Sequence, residues 1–507
     1  MRSCVVSSLI VVLLGCSTDE SPGGLREQSP AGTTSIEGEE PDSDVEVIDG
    51  VPRAWPQLAN PVTHDVDADL IAVLEKDALE GACEAYQAGD ERRETRLRCG
   101  KWMFFYESFG TVGMPSHLLE IFQEWFQSFY GPSFSSMGFI PNPYANDHIP
   151  LGLVESTQHM GEMKTHAFTC AGCHFGQLPD GRYAVGYPNL QLDYGRFIAS
   201  MVALIRLGMR PEDSGVHPVL RRDLSPVVHE ARARSGFYTA MAGLGMNFLT
   251  RGGDVLTEGG INLSLEEQLR FWRLRTGTMD FLTKPMVEDG VWTVSRILGL
   301  WNMPTQDQID DTEMPHALLS WTGIGESLMS FLHGFVVVSG SHDHWSDEEL
   351  KPLADYIYSL RAPKPVVASD VEAVARGATL FAETGCVACH DGPSGESQAL
   401  YPFETIGTDA ALRDIYSPNE EGELCCGLDV NGERATGMIK SPRLAGQRYR
   451  TRLLHNGALD SLEQLLCVTA RPMDTLEAAK STKGHRFGCD ELTATEKDDL
   501  IQYLEHL

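Results

Sequence analysis

The pentapeptide Cys-x-x-Cys-His occurs twice, as CAGCH at residues 170–174 and as CVACH at 386–390. Two thiols at this spacing can add to the two vinyl groups of a haem, and the histidine that follows then lies under the iron as its proximal ligand. A zinc site would want a second Cys-x-x-Cys or a paired-histidine motif nearby, and neither motif has one at the usual spacing. A thioredoxin-type dithiol would open a helix after a strand and has no use for the histidine. The repeat within one 507-residue chain therefore predicts two covalently bound c-type haems. Cys170 and Cys173 attach the first, with His174 on its iron. Cys386 and Cys389 attach the second, with His390 on its iron.

Each motif is followed by a segment that reads as an amphipathic closing helix. SDEELKPLADYIYSLRAP (346–363) opens on Ser346 with Glu349 three positions on, a capping box, and then lines Leu350, Leu353, Ile357 and Leu360 along one face. LTATEKDDLIQYLEHL (492–507) repeats the pattern with Thr493, Glu496 and a face of Leu500, Ile501 and Leu504. Ahead of the second motif, SDVEAVARGATLFAETGC (369–386) reads as a leading helix whose start is marked by Ser369 and Glu372. The Pro-rich run APKPVV (362–367) separates the two units. At 42% apolar residues the chain has material for two or three cores. The expected fold is mainly α: two tandem cytochrome c-like haem domains, 56–363 and 364–507. The first is enlarged by long insertions and loops between Pro188 and about Asp343.

The N-terminus reads MRSCVVSSLIVVLLGCSTDE. Arg2 precedes an apolar stretch, Val5 to Leu14, that is too short to span a bilayer as a permanent helix. LLGC at 13–16 resembles the lipobox of bacterial lipoproteins, which implies a signal peptide over 1–15 and lipidation of Cys16. Ser17 resembles the outer-membrane sorting class. Residues 16–55 are rich in Ser, Gly, Pro, Glu and Asp and cannot bury enough surface to offset ordering entropy, so they read as a flexible tether. The expected location is the bacterial cell envelope, with the lipid as membrane anchor.

A formal net charge of −32 would repel the phosphate backbone and excludes nucleic acid as a partner. It leaves room for a cationic electron donor. Of the twelve cysteines, Cys4 leaves with the signal, Cys16 takes the lipid and four serve the haem motifs. The remaining six are an even number in an oxidising compartment and suggest disulfides. Cys83–Cys99 pairs by proximity. Cys425, Cys426, Cys467 and Cys489 allow three pairings, among which the sequence does not choose.

Further stretches carry a family likeness. MGFIPNPYANDHIPLGLVES (137–156) resembles a Gly-Phe-x-Pro…Leu-Pro-x-Gly element, and the first haem motif continues into a Phe-Gly-Gln-Leu and an Asp-x-x-x-Phe-like run. LGLWNMP (298–304) resembles a Leu-Trp-Asp/Asn-x-Pro element, and IGTDAALRD (406–414) a Gly-Thr-Asp motif after the second haem. SPRLAGQRYRTRLLHNGALDSLEQLL (441–466) resembles a Pro-x-Leu…Leu-His-Asn-Gly signature, and KGHRFG (483–488) a Gly-His-x-Phe-Gly motif. Together these resemble the di-haem cytochrome c peroxidase superfamily, and within it the rubber oxygenase-like branch of exported di-haem cytochromes.

That resemblance implies an open, active haem on His174, taking a small molecule (peroxide or dioxygen) or an apolar organic substrate. It implies a six-coordinate electron-transfer haem on His390, with His485 as second axial ligand. Met473 is the rival ligand, because the classical peroxidases use a methionine in this region. Trp301 matches the tryptophan between the haems that could relay electrons, with Trp321 competing. His455 matches a position near the second haem, for a propionate hydrogen bond or for packing. The partner would be an electron donor or acceptor such as a small cytochrome or cupredoxin. A calcium ion bridges the domains of the peroxidases, but no residue here is assigned to it.

The chain is shorter than the rubber oxygenases, and no distal residue is legible: His148, His159, His166, His217 and His229 all read as surface or core positions. The reaction class, peroxidase-like or oxygenase-like, stays open. So does the alternative of a pure di-haem electron-transfer cytochrome with no substrate pocket.

Overall fold

The computed structural model describes residues 74–111, 113–144, 148–159, 162–192, 216–233, 296–305, 327–338, 344–363, 370–390, 400–408, 438–472 and 482–507. It adds three short strands before residue 65 and a few single residues between these stretches. The helices are α1 (Lys76–Gln87), α2 (Arg93–Tyr106), α3 (Ser116–Tyr130), α4 (Cys170–His174) and α5 (Pro218–Ala233). They continue with α6 (Leu328–Val338), α7 (Asp347–Ser359), α8 (Val371–Glu383), α9 (Phe403–Ile406), α10 (Leu462–Leu465) and α11 (Ala494–His506). The strands are two to four residues long, so the fold is mainly helical.

Two helix crossings organise the molecule. α8 crosses α11 at Gly377, where a Cβ would stand 2.1 Å from the Asp499 carbonyl oxygen. α2 crosses α7 at Gly100, where a Cβ would stand 1.9 Å from the Pro352 carbonyl oxygen. Only glycine allows backbones this close. Four residues after each glycine a phenylalanine meets a tyrosine of the closing helix. Phe104 meets Tyr356 with ring centres 5.8 Å apart, and Phe381 meets Tyr503 at 5.4 Å. The expected closing helices thus pack as the sequence suggests, and their capping boxes at Ser346–Glu349 and Thr493–Glu496 are both formed.

Three expectations change in detail. The cap of α8 is Asp370, whose carboxylate accepts from the Glu372 and Ala373 amides, and not Ser369, which lies outside the described residues. Asp and Ser are equally good caps, and one side chain that reaches two amides wins. The first unit is enlarged before its haem motif as well as after it. Gly100 precedes Cys170 by 70 positions, whereas Gly377 precedes Cys386 by 9. Inside the expected tether, a ladder pairs Val47–Ile48 with Val51–Pro52, across the Asp-Gly sequence that two-residue hairpins favour.

Short sheets frame the first motif. β4 (Met114–Pro115), β5 (Leu153–Glu155) and β6 (Thr165–Phe168) form one antiparallel sheet that leads into α4. β7 (Phe175–Gln177) leaves α4 and pairs with β8 (Tyr183–Val185), which also pairs with β3 (Thr63–His64). Near the second motif β9 (Leu400–Pro402) pairs with β10 (Met438–Lys440). The larger core joins Phe104, Phe105, Phe175, Tyr187, Trp301 and Leu353 to Ala445 and Tyr449 from the C-terminal part of the chain.

Two disulfides close, Cys83–Cys99 between α1 and α2, and Cys467–Cys489. Cys425 and Cys426 lie outside the described residues, as do Cys16, Met473 and nearly all of residues 1–55.

Candidate functional site

α4 is held by its backbone. Gly152, at φ +87°, packs so tightly on Gly172 that a Cβ would stand 2.2 Å from the Gly172 Cα. The Gly186 amide donates to the His174 carbonyl (2.7 Å) and the Asn189 amide to the Cys173 carbonyl (2.8 Å). Cys170 and Cys173 are not in a disulfide, and burial pushes both thiols up to about 12. A redox dithiol needs the opposite shift, toward thiolate at neutral pH. Burial also pushes His174 down to about 4, with the Leu298 backbone opposing and the Arg443 charge adding to the shift. Its Nδ1 is buried with no partner in hydrogen-bonding geometry, and among the described residues its ring contacts no other ring.

The second motif follows α8 directly. Cys386 and Cys389 are again not in a disulfide. The Tyr401 hydroxyl donates to the Ala388 carbonyl (2.9 Å), and the Ser441 hydroxyl to the Cys389 carbonyl. His390 Nδ1 is bonded to the Gly395 carbonyl. A carbonyl only accepts, so Nδ1 carries the proton and Nε2 keeps its lone pair. The His485 ring faces His390 with centres 6.4 Å apart and planes at 60°. Burial pushes both imidazoles down to about 4, so each is neutral at physiological pH.

The loop that presents His485 is tied at many points. The His485 amide donates to the Ile406 carbonyl (2.8 Å), and Gly484 sits where a Cβ would press on Thr408 at 2.6 Å. The Arg471 guanidinium donates to the carbonyls of Leu465, Thr482, Gly484 and His485 at 2.6–2.8 Å. The Cys467–Cys489 bridge closes the same loop. His455 is buried alongside, its Nδ1 3.2 Å from the Thr408 hydroxyl and its ring edge-to-face with Phe403 and Trp321. The Gly-Thr, Leu-His-Asn-Gly and Gly-His-x-Phe-Gly stretches, far apart in sequence, therefore meet at one place.

These residues fit a haem at both motifs. Two metal–imidazole bonds of ~2 Å each, added to the ring radii, hold the ring centres of a bis-histidine iron roughly 6 Å apart, and His390 and His485 stand at 6.4 Å. The His390 Nδ1–H…carbonyl bond is the outer contact that orients an iron-ligating imidazole. At the first motif the unpaired thiols and the half-buried, neutral His174 provide the matching donor set.

Trp301 joins the segment after the first motif to the 446–449 turn. Its indole N–H donates to the Val185 carbonyl (2.7 Å), and its ring packs on Tyr187 (5.5 Å) and Tyr449 (6.2 Å). Gly186 (φ +83°) and Gly446 (φ +72°) press on its two sides, a Cβ at either meeting the indole at 2.8 and 2.5 Å. Trp321 sits on the other side of Arg296, donates to the Arg296 carbonyl (2.9 Å) and packs with Ile439 and Phe403.

His148, His159, His217 and His229 are exposed, and His166 is buried with Nδ1 at 2.8 Å from the Ser116 hydroxyl. Among the described residues no three of His, Cys, Asp and Glu gather as a metal site, and none is assigned to calcium.

Sequence reasoning missed α2 as the leading helix of the first unit, the Arg471 clamp, and three buried arginines, Arg296, Arg443 and Arg450. A Gly-x-x-x-Phe shared by residues 100–104 and 377–381 is the signal that could have found α2.

No family model and no curated protein matches the chain. Among solved structures it is similar to the hydrazine synthase of Kuenenia stuttgartiensis, at 18% identity and a TM-score of 0.26, over 44% of this chain and 75% of that one. It is similar to a MauG-like protein associated with microbial copper homeostasis, at 18% identity and a TM-score of 0.22, over 32% of this chain and 52% of that one. Likenesses of this size carry no argument about function, which rests on the site itself.

Proposed function

We propose that the chain is an exported di-haem c-type cytochrome oxidoreductase, organised as haem domains at 56–363 and 364–507. Cys170, Cys173 and His174 hold an open haem, and Cys386, Cys389, His390 and His485 hold an electron-transfer haem. When bound, the two haems supply iron centres that exchange electrons and, at the open one, meet peroxide or dioxygen. One observation carries the reading: His390 is faced by a second imidazole, that of His485, with ring centres 6.4 Å apart.

The chain's own residues support the division of labour. Burial keeps His174, His390 and His485 neutral, the only form that ligates iron. The Gly395 carbonyl fixes the His390 tautomer. Trp301 suits a relay better than Trp321, because it touches both the 185–187 segment after the first motif and the 446–449 turn of the C-terminal part. The cell-envelope location, the Cys16 lipid anchor and a small cytochrome or cupredoxin partner complete the proposal, and the charge of −32 suits a cationic partner.

The test is a pair of optical and EPR spectra of the holoprotein, oxidised and reduced, for wild type and His485→Ala. One high-spin or oxygen-ligated haem beside one low-spin haem is expected, with the low-spin signal lost in the variant. Two low-spin haems unmoved by peroxide, oxygen or imidazole would leave a pure electron carrier.

A further inference from the structure

Arg296, Arg443 and Arg450 are 3%, 8% and 5% exposed. The charges of Arg296 and Arg443 both act on Arg450, Arg443 also acts on His174, and the Arg296 amide donates to the His455 carbonyl (2.7 Å). An Arg443 terminal nitrogen donates to the Gly299 carbonyl (2.6 Å), and an Arg450 terminal nitrogen lies 3.6 Å from where a Gly299 Cβ would stand. Gly299 adjoins Leu298, whose backbone acts on His174, and the Arg443 charge acts on His174 directly. Arg296 stacks over Trp321 at 4.9 Å and, with Arg443, repels Arg450.

Part of this cluster is satisfied by the chain. Arg296 Nε donates to the Leu454 carbonyl (3.2 Å), and an Arg450 terminal nitrogen donates to the Ala445 carbonyl (3.1 Å). One further terminal nitrogen of Arg296 and one of Arg450 are buried with no partner. Tyr187 is the group that opposes the charges, and no carboxylate among the described residues acts on either side chain. Burial, with mutual repulsion for Arg450, holds both below the ordinary arginine range. A buried guanidinium without a counter-charge costs several kcal/mol. Its planar fork is matched by a carboxylate, which accepts two parallel N–H bonds.

We propose that Arg296, Arg443 and Arg450 form the receiving site for the propionate carboxylates of the haem held by Cys170, Cys173 and His174. The inference rests on the reading of CAGCH as a haem anchor. A carboxylate must reach a place that solvent hardly enters, and a haem carries its own to this depth as it is attached. The cluster then does two things: it fixes the haem edge that faces Trp301, and its excess positive charge favours the reduced iron.

The experiment uses the holoprotein with Arg296→Gln, Arg450→Gln and the matching lysine variants. Mass spectrometry counts covalent haems, optical titration reads each midpoint, and resonance Raman reads the propionate bending bands. The glutamine variants are expected to keep both haems. They should lower the midpoint of the His174 haem by a tenfold or greater change in its oxidised-to-reduced ratio, ~59 mV per decade for one electron. They should also shift its propionate bands, with Arg450→Gln leaving the His390 haem unmoved. The lysine variants should recover the midpoint but not the bands, since an ammonium is a point donor without the fork. If the glutamine variants do not accumulate, the lysine bands decide alone. Unmoved midpoint and bands at the His174 haem, in variants that carry it, overturn the proposal. A wild type with no haem on Cys170 and Cys173 sinks the functional reading instead.

Discussion

The α2–α7 crossing of the first unit and the α8–α11 crossing of the second are built alike, and what is placed around them differs. Each has a glycine at the contact, a phenylalanine four residues on, and a tyrosine of the closing helix against it. Each joins an arginine of the leading helix to an aspartate of the closing one, Arg96 to Asp355 and Arg376 to Asp499. In the second the Cys-x-x-Cys-His motif follows its leading helix at once, and its histidine meets His485. In the first, long segments separate helix from motif and frame it with strands. A shared scaffold thus carries two Cys-x-x-Cys-His motifs in unlike surroundings, and the distinction lies in the loops it carries.

The strongest way to break that comparison is to fill the crossings. Gly377→Val and Gly100→Val each push a side chain into backbone about 2 Å away. The expected cost is at or beyond the ~3 kcal/mol upper end of ordinary overpacking. Denaturant unfolding should show each variant destabilised. If the units are separate in function, Gly377→Val abolishes the low-spin signal assigned to His390 and His485, whereas Gly100→Val spares it. Equal loss of both haem signals in both variants would mean that the two units fold as one.

The disulfides give the next largest effect. Their cysteines are 16 and 22 positions apart, for which loop entropy gives ~3 kcal/mol in either case. The places differ: Cys83–Cys99 ties α1 to α2, and Cys467–Cys489 closes the loop that presents His485. Replacing both cysteines of a pair by serine should cost similar stability. Only the Cys467/Cys489 double variant should loosen the low-spin haem, read as a new fraction open to imidazole or carbon monoxide.

How much of this was legible depends on how local each signal is. The haem motifs, the capping boxes at Ser346 and Thr493 and the Cys83–Cys99 bridge are all set by residues within about twenty positions, and the structure forms the caps and the bridge as read. Asp370 displaced Ser369 as a cap because two adjacent residues offered the same chemistry. α2 escaped because 70 positions separate its glycine from Cys170. The arginine cluster escaped because position 296 and positions 443 and 450 are far apart in sequence. Arginine is a surface residue by default, and nothing in the local sequence says it is buried. The stretches that carry the family likeness converge around His390 and His485. They named no distal residue at the first.

A smaller effect probes the ground between the units. Gly446 has φ +72°, and its Cβ position lies 2.5 Å from the Trp301 ring. Gly446→Ala should cost ~1–2 kcal/mol through left-handed strain and displacement of the indole. If Trp301 carries electrons, the haem-to-haem transfer rate read by flash photolysis should fall by more than the stability change explains. Trp301→Phe, which keeps a ring but not the N–H donor to Val185, is the companion variant. A rate unchanged in both would leave Trp301 as core.

The smallest effect separates the two ion pairs. Arg376 grips Asp499 with two bonds of 2.7 Å, whereas Arg96 meets Asp355 once, at 2.9 Å. Arg376 is more than half exposed, so solvent screening leaves the second pair only a small gain over the first. The Arg376 hydrogen bonds hold Asp499 below the ordinary carboxylate range, so its folded value lies under its unfolded one, about 3.9. The contribution is then complete above about pH 4 and disappears as pH falls through the folded value. Asp499→Asn should lower stability slightly at pH 7 and not at all at the bottom of that window, so the two stability curves converge in acid. Curves that stay parallel would mean that the clasp at the second crossing is packing rather than charge, as the Pro352 contact is at the first.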